Sequence, residues 1–210
     1  MKEPEKKLII DSPAGALELM VAMRPYAQSS VVVCHPHPLH GGTMHNKVVT
    51  TTTKAGQNLG MNTVRFNFRG VGESQGEYDH GQGEQDDLRA VIHWLQQEAP
   101  GIPLILVGFS FGSYIAASCA ASYKVQGCIS IAPAVTRFDF SQVARGDFPW
   151  VVLQGSQDEI VDFSSVKSWY SKLSEPKKWI EFEGVGHFFH GQLVALRHTL
   201  ERSMESMAQL

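Results

Sequence analysis

The chain has 210 residues, room for one α/β domain with a sizeable core but cramped for two. With 43% hydrophobic and 19% charged residues and a formal net charge of −3, it has the balance of a soluble globular protein and no excess of positive charge to hold nucleic acid. The adjacent lysine pairs Lys6-Lys7 and Lys177-Lys178 are too short for a phosphate-binding stripe.

In chain order, short β-branched runs alternate with helical patterns, the signature of a parallel sheet covered on both faces. MKEPEKKLII carries alternating charge without the apolar stretch of a signal peptide. No later run reaches membrane-spanning length, so the expectation is a cytoplasmic protein. LIID and LELMVAM, joined by Ser12-Pro13-Ala14-Gly15, read as an antiparallel hairpin. SSVVVCH is a buried strand, residues 46–59 a helix closed by Gly60, and NTVRFNF the next strand. After the glycine-rich RGVGESQGEYDHGQG comes a helix whose first turn holds Glu84, Asp86 and Asp87, read as compensation for the helix dipole. PLILVGF, QGCISIA, WVVLQG and WIEFEG are further strands, and residues 190–205 an amphipathic helix. Residues 134–148, between two of these strands, form either a site-covering loop or a short surface helix. No linker or repeat divides the chain, so residues 1–210 are expected to form one domain. Cys34, Cys119 and Cys128 are too few and too far apart for a disulfide framework, and no CxxC pair is present.

Gly108-Phe109-Ser110-Phe111-Gly112 stands between a strand and a helix. In that context G-x-S-x-G lifts a serine onto a sharp, strained turn, with glycines where side chains would collide. A serine nucleophile needs a base, and the base an orienting carboxylate. Asp158 follows one later strand and His187 another, at the same sheet edge, in the chain order Ser, Asp, His. Asp162 is a weaker substitute for Asp158. His190, expected inside the last helix, is a weaker rival to His187.

These blocks resemble the α/β-hydrolase superfamily, and within it the small bacterial hydrolases akin to dienelactone hydrolases and prolyl-oligopeptidase-type domains. HPHPLHGGTMHNKVV, RFNFRGVGESQGEYDHGQGEQDDL, GFSFG, QGSQDEIVD and GHFFHG carry the resemblance over nearly the whole chain. It implies an α/β-hydrolase fold with an eight-stranded, mostly parallel sheet and a Ser-His-Asp triad, and it leaves the substrate open. It further implies an oxyanion hole formed by backbone N–H groups of Phe111, after the nucleophile, and of His37, in the loop after the third strand. Pro36 stands where many relatives have glycine and has no N–H to give, which leaves His37 or Leu39 as the donor, His37 being favoured.

His35, His37 and His40 also match the H-x-H-x-x-H run that resembles the ligands of metallo-β-lactamases. Leu39 occupies the position of that superfamily's aspartate, and matching later ligands are missing, so neither metal nor cofactor is expected. Arg69-Gly70-Val71-Gly72 lacks the third glycine of a nucleotide loop, because residue 75 is Gln75. The expectation is therefore an esterase or thioesterase acting through an acyl-enzyme on a small acyl substrate, as monomer or homodimer. Leu39, Phe138, Phe140 and Phe188 are expected to line its pocket. The alternatives are a binding protein that keeps the fold without turnover, and a metal-dependent hydrolase using the histidine loop.

Overall fold

The computed structural model describes residues 4–209. Its strands are β1 (Lys6–Ser12), β2 (Gly15–Ala22), β3 (Ser30–Cys34), β4 (Asn62–Phe66), β5 (Leu104–Phe109), β6 (Gly127–Ile131), β7 (Trp150–Gly155) and β8 (Lys177–Phe182). They form one eight-stranded sheet in the order β1-β2-β4-β3-β5-β6-β7-β8. β2 pairs antiparallel with both β1 and β4, whereas every pairing from β4 to β8 is parallel. The Ser12↔Gly15 pairing closes the opening hairpin at the turn that Pro13-Ala14 marks in the sequence.

Alternation along the central strands divides the core between the two faces. Val32 and Cys34 of β3 and Leu104 and Leu106 of β5 face α2 (Gly83–Glu98), α3 (Phe111–Ala120) and α4 (Phe163–Ser171). Val31 and Val33, with Ile105 and Val107, face α1 (Lys47–Asn58) and α5 (Leu193–Ala208). A strand with both rows buried has to read as a continuous apolar run, which is why β3 and β5 do.

The helix ends have local causes. Asn46 caps α1 by accepting from Val48 N at 2.8 Å, and Gly60 follows its end at φ 74°. The last helix begins at Leu193, three residues later than the sequence suggests, because Gly191 takes φ 73° and Phe189 φ 53°, values that no helix continues. His190 therefore lies in an exposed turn rather than in the helix. α4 is not apparent in the sequence, since it buries Val166 alone among its residues.

Glu84 and Asp87 do more than offset a dipole. Both are fully buried, and Glu84 accepts from Asp79 N and Gly81 N while Asp87 grips the Arg69 guanidinium and backbone. They tie the glycine-rich loop to the first turn of α2. Asp86 stays on the surface beside Arg89.

Candidate active site

The turn between β5 and α3 is built as the G-x-S-x-G spacing demands. Ser110 adopts φ 54°, ψ −115°, a conformation that costs an L-residue about 1–3 kcal/mol. Its N–H donates to Ile131 O at 2.8 Å and its carbonyl accepts from Ser113 N at 3.0 Å, so backbone bonds on both sides hold the strain in place. A Cβ on Gly108 would land on the carbonyl of Gly112, and one on Gly112 would land on the carbonyl of Cys34. Ser113 adds a clamp that the motif does not advertise, donating to Gly108 O at 2.7 Å.

Asp158 and His187 arrive from the loops after β7 and β8. Gly155 and Gly186 let those loops approach each other, because a Cβ on either would strike Val185 or Glu159. The imidazole Nδ1 of His187 lies 2.8 Å from Asp158 Oδ2, and both side chains are almost wholly buried. The remaining capacity of the carboxylate is used by Ile160 N, Val161 N and Gln154 Nε2. Burial alone would push the Asp158 pKa up, but the His187 bond, its charge and the two backbone donors together hold it below the ordinary value. The ring of Phe109 lies 5.0 Å from that of His187 and that of Phe188 5.1 Å, and the two phenyl rings are 6.1 Å apart, so the three form one aromatic cluster. Asp162 instead caps α4 through Ser165, and His190 is exposed outside the cleft.

Ser110, His187, Phe111 and His37 line one cleft of about 440 Å³, a volume suited to a small ligand. Ser110 Oγ makes no hydrogen bond among the described residues, to His187 or to any other group, so its hydroxyl is uncommitted; such bonds commonly tighten when substrate fills a site.

The histidine loop is fixed by His35, which is fully buried. Phe68 N donates to its Nε2 at 3.0 Å, so the ring proton sits on Nδ1, and Nδ1 donates to Pro36 O at 2.6 Å. A trans peptide points its N–H opposite its C=O, so turning the Pro36 carbonyl toward His35 directs the His37 N–H the other way. With both nitrogens committed to backbone, His35 has no lone pair left for a metal, which removes the first member of the H-x-H-x-x-H run.

Two expected lining residues stand elsewhere. Leu39 is 68% exposed on the short 3₁₀ turn Pro38–His40 and does not line the cleft. Phe140 is buried in the core, its ring 5.0 Å from Trp169 and 5.5 Å from Tyr114, because its one-turn 3₁₀ helix points inward. Phe138 and Phe188 do line the cleft. Residues 134–148 thus form a loop pinned by Phe140 rather than a surface helix. Sequence reasoning missed three polar neighbours: Gln154 against Asp158, Glu159, whose Oε2 accepts from His187 N at 3.1 Å, and Arg137 on the cleft wall. None belongs to a motif.

A strained serine between strand and helix, at the edge of an eight-stranded sheet with one reversed strand near its start, defines an α/β hydrolase. The chain belongs to that superfamily: the model of the family described as "Serine aminopeptidase, S33" matches residues 27–143. It is similar to an α/β serine hydrolase homologue from Coxiella burnetii, 45% identical with a TM-score of 0.91, over 96% of this chain and 98% of that one. A Xanthomonas campestris α/β serine hydrolase described as having no lid is 42% identical with a TM-score of 0.91, over 98% and 96%. An uncharacterized Rickettsia prowazekii protein is 36% identical over 194 residues, covering 87% of this chain and 82% of its own length. The chain is a member of a serine hydrolase family. No helix among the described residues is long and apolar enough to cross a membrane.

Proposed function

We propose that the protein cleaves a carboxylic ester or thioester through a covalent acyl-enzyme on Ser110. His187 Nε2 takes the Ser110 proton as Oγ attacks the substrate carbonyl, and Asp158 keeps the Nδ1 proton in place and steadies the imidazolium that results. The negative charge that develops on the carbonyl oxygen falls to the N–H groups of Phe111 and His37, neither of which has another partner among the described residues. The imidazolium protonates the leaving alcohol or thiol as the tetrahedral intermediate collapses. Water, deprotonated by the same His187, then hydrolyses the acyl-enzyme and returns Ser110 to its starting state. Each oxyanion donor is worth roughly 10²- to 10³-fold in rate.

The observation that carries this reading is that the strained Ser110 and the Asp158-bound His187 line the same cleft. A fluorophosphonate probe tests it. Wild-type protein should be labelled stoichiometrically and Ser110→Ala should not, and p-nitrophenyl acetate should give a burst of about one nitrophenolate per chain. A wild-type protein left unlabelled at saturating probe means a binding protein that has kept the fold without turnover.

A further inference from the structure

Two side chains that line the cleft, His37 and Arg137, present hydrogen-bond donors to it. His37 Nδ1 accepts from Leu39 N at 3.2 Å, so at neutral pH the ring proton is on Nε2 and the exposed side of the imidazole can only donate. Arg137 brings five more donors, a full positive charge and no acceptor. No carboxylate, carbonyl or ring among the described residues engages its guanidinium, although ion pairs or cation–π contacts occupy Arg65, Arg69, Arg89 and Arg145. Its backbone is nevertheless fixed: Arg137 N and Phe138 N both donate to Ala134 O at 3.1 Å, and the Phe138 ring stacks on Tyr114 at 5.2 Å. The positive charge of Arg137 reaches across to His37, where, behind burial and His40, it helps press the imidazole pKa down to about 4. The carboxylate that shares the cleft, Glu159, is engaged elsewhere: it accepts from His187 N and lies against Gly186, and it makes no ion pair with Arg137 among the described residues.

A donor-only imidazole edge beside a guanidinium with no partner among the described residues matches a ligand that presents acceptors and negative charge. Building on the acyl-transfer reading above, we propose that the natural substrate is an ester or thioester bearing an anionic oxygen group, carboxylate or phosphate, which Arg137 binds while the carbonyl sits at Ser110. Arg137 is then a specificity-determining residue, with His37 Nε2 as a second donor.

Two matched substrate pairs test this and separate the anion's source. p-Nitrophenyl hemiglutarate against p-nitrophenyl valerate places a carboxylate on the acyl side. Butyryl-coenzyme A against butyryl-N-acetylcysteamine places phosphate on the leaving group. The readout is the anionic-to-neutral ratio of kcat/KM in each pair. Arg137→Gln should lower that ratio about tenfold in one pair, Arg137→Lys should retain part of it, and Arg137→Glu should turn it toward the neutral member. The responding pair identifies carboxylate or phosphate. A ratio that neither Gln nor Glu moves in either pair overturns the proposal. If no ester is cleaved and Ser110 is not labelled by fluorophosphonate, the acyl-transfer reading fails, and calorimetric titration with glutarate and with phosphopantetheine decides the anion site. Binding that Arg137→Glu abolishes supports it, whereas equal or undetectable binding in both proteins overturns it.

Discussion

At the scale of single residues, the histidine with most structural consequence is one that touches no substrate. His35 is sealed between Phe68 N and Pro36 O, and burial, the largest cause, with a smaller push from His37, outweighs the Pro36 bond and drives its pKa down to about 3. An unfolded histidine titrates near 6.5. Between about pH 6.5 and pH 3 the unfolded chain therefore binds a proton at this position that the folded chain refuses, so stability rises with pH across the window. The contribution is fully present above pH 6.5 and lost as pH falls toward 3. His35→Gln, which keeps a donor and an acceptor but has no proton to gain, should be less stable at pH 7 yet show a shallower loss over that window in urea midpoints measured against pH. Parallel curves for the two proteins would rule out His35 as a source of acid lability. The sequence offers this residue as a metal ligand, because spacing reveals which imidazoles are near one another and not what their nitrogens already bind. Ser110, Asp158 and His187 are legible for the opposite reason: each follows a recognisable strand, and parallel strands deliver their C-terminal ends to one edge. Gln154, Glu159 and Arg137 follow no motif, and their place depends on how neighbouring loops pack.

At the scale of elements, α3 buries side chains such as Ile115 and Ala116 against the sheet, but its N-terminus meets the end of β3 backbone to backbone. A methyl at residue 112 would meet the carbonyl oxygen of Cys34 at the end of β3, and behind it that of His35. Gly112→Ala should therefore shift the helix N-terminus off the histidine loop and cost about 1–3 kcal/mol or more, as overpacking at an unyielding contact does. Denaturant midpoints measure it, and a midpoint within error of wild type would mean that β3 and α3 can separate more easily than their contact suggests. Strands and long helices were readable here because apolar period and turn residues coincide. α4 was not, since a helix that buries one valine has almost no apolar stripe to read. The sequence pattern places the start of α5 too early because Gly191 adopts a left-handed conformation inside what looks like continuous amphipathic sequence. The weak pattern of residues 134–148 fits loop and helix alike, and what decides between them is a tertiary contact, the anchoring of Phe140 against Tyr114 and Trp169.

At the scale of the whole molecule, the sheet makes the two cores interdependent. Val31 and Val33 feed one face while Val32 and Cys34, from the same strand, feed the other, and β5 divides its residues in the same way. Melting α1 and α5 away from their face would strip β3 and β5 of half their cover, and losing α2 and α3 would strip the other half. The continuous apolar runs of β3 and β5 already signal strands covered on both faces, but not which helices cover each face. The insertion of β4 between β2 and β3 is a non-local pairing that runs of hydrophobic residues do not encode; resemblance to the superfamily implies the eight-stranded, mostly parallel sheet, but the strand order is read from the structure alone. Residues 4–209 should therefore unfold cooperatively as one unit, the behaviour expected if the chain is a single domain. Near- and far-ultraviolet circular dichroism should lose signal at the same denaturant concentration, and the calorimetric enthalpy should equal the van't Hoff enthalpy. Because Trp150 and Trp169 lie in the face covered by α2, α3 and α4, tryptophan fluorescence reports that side, while Met204 and Met207 of α5 offer methyl resonances on the other. If those two probes melt at separate midpoints, the faces are independent, and the sheet joins two folding units rather than one.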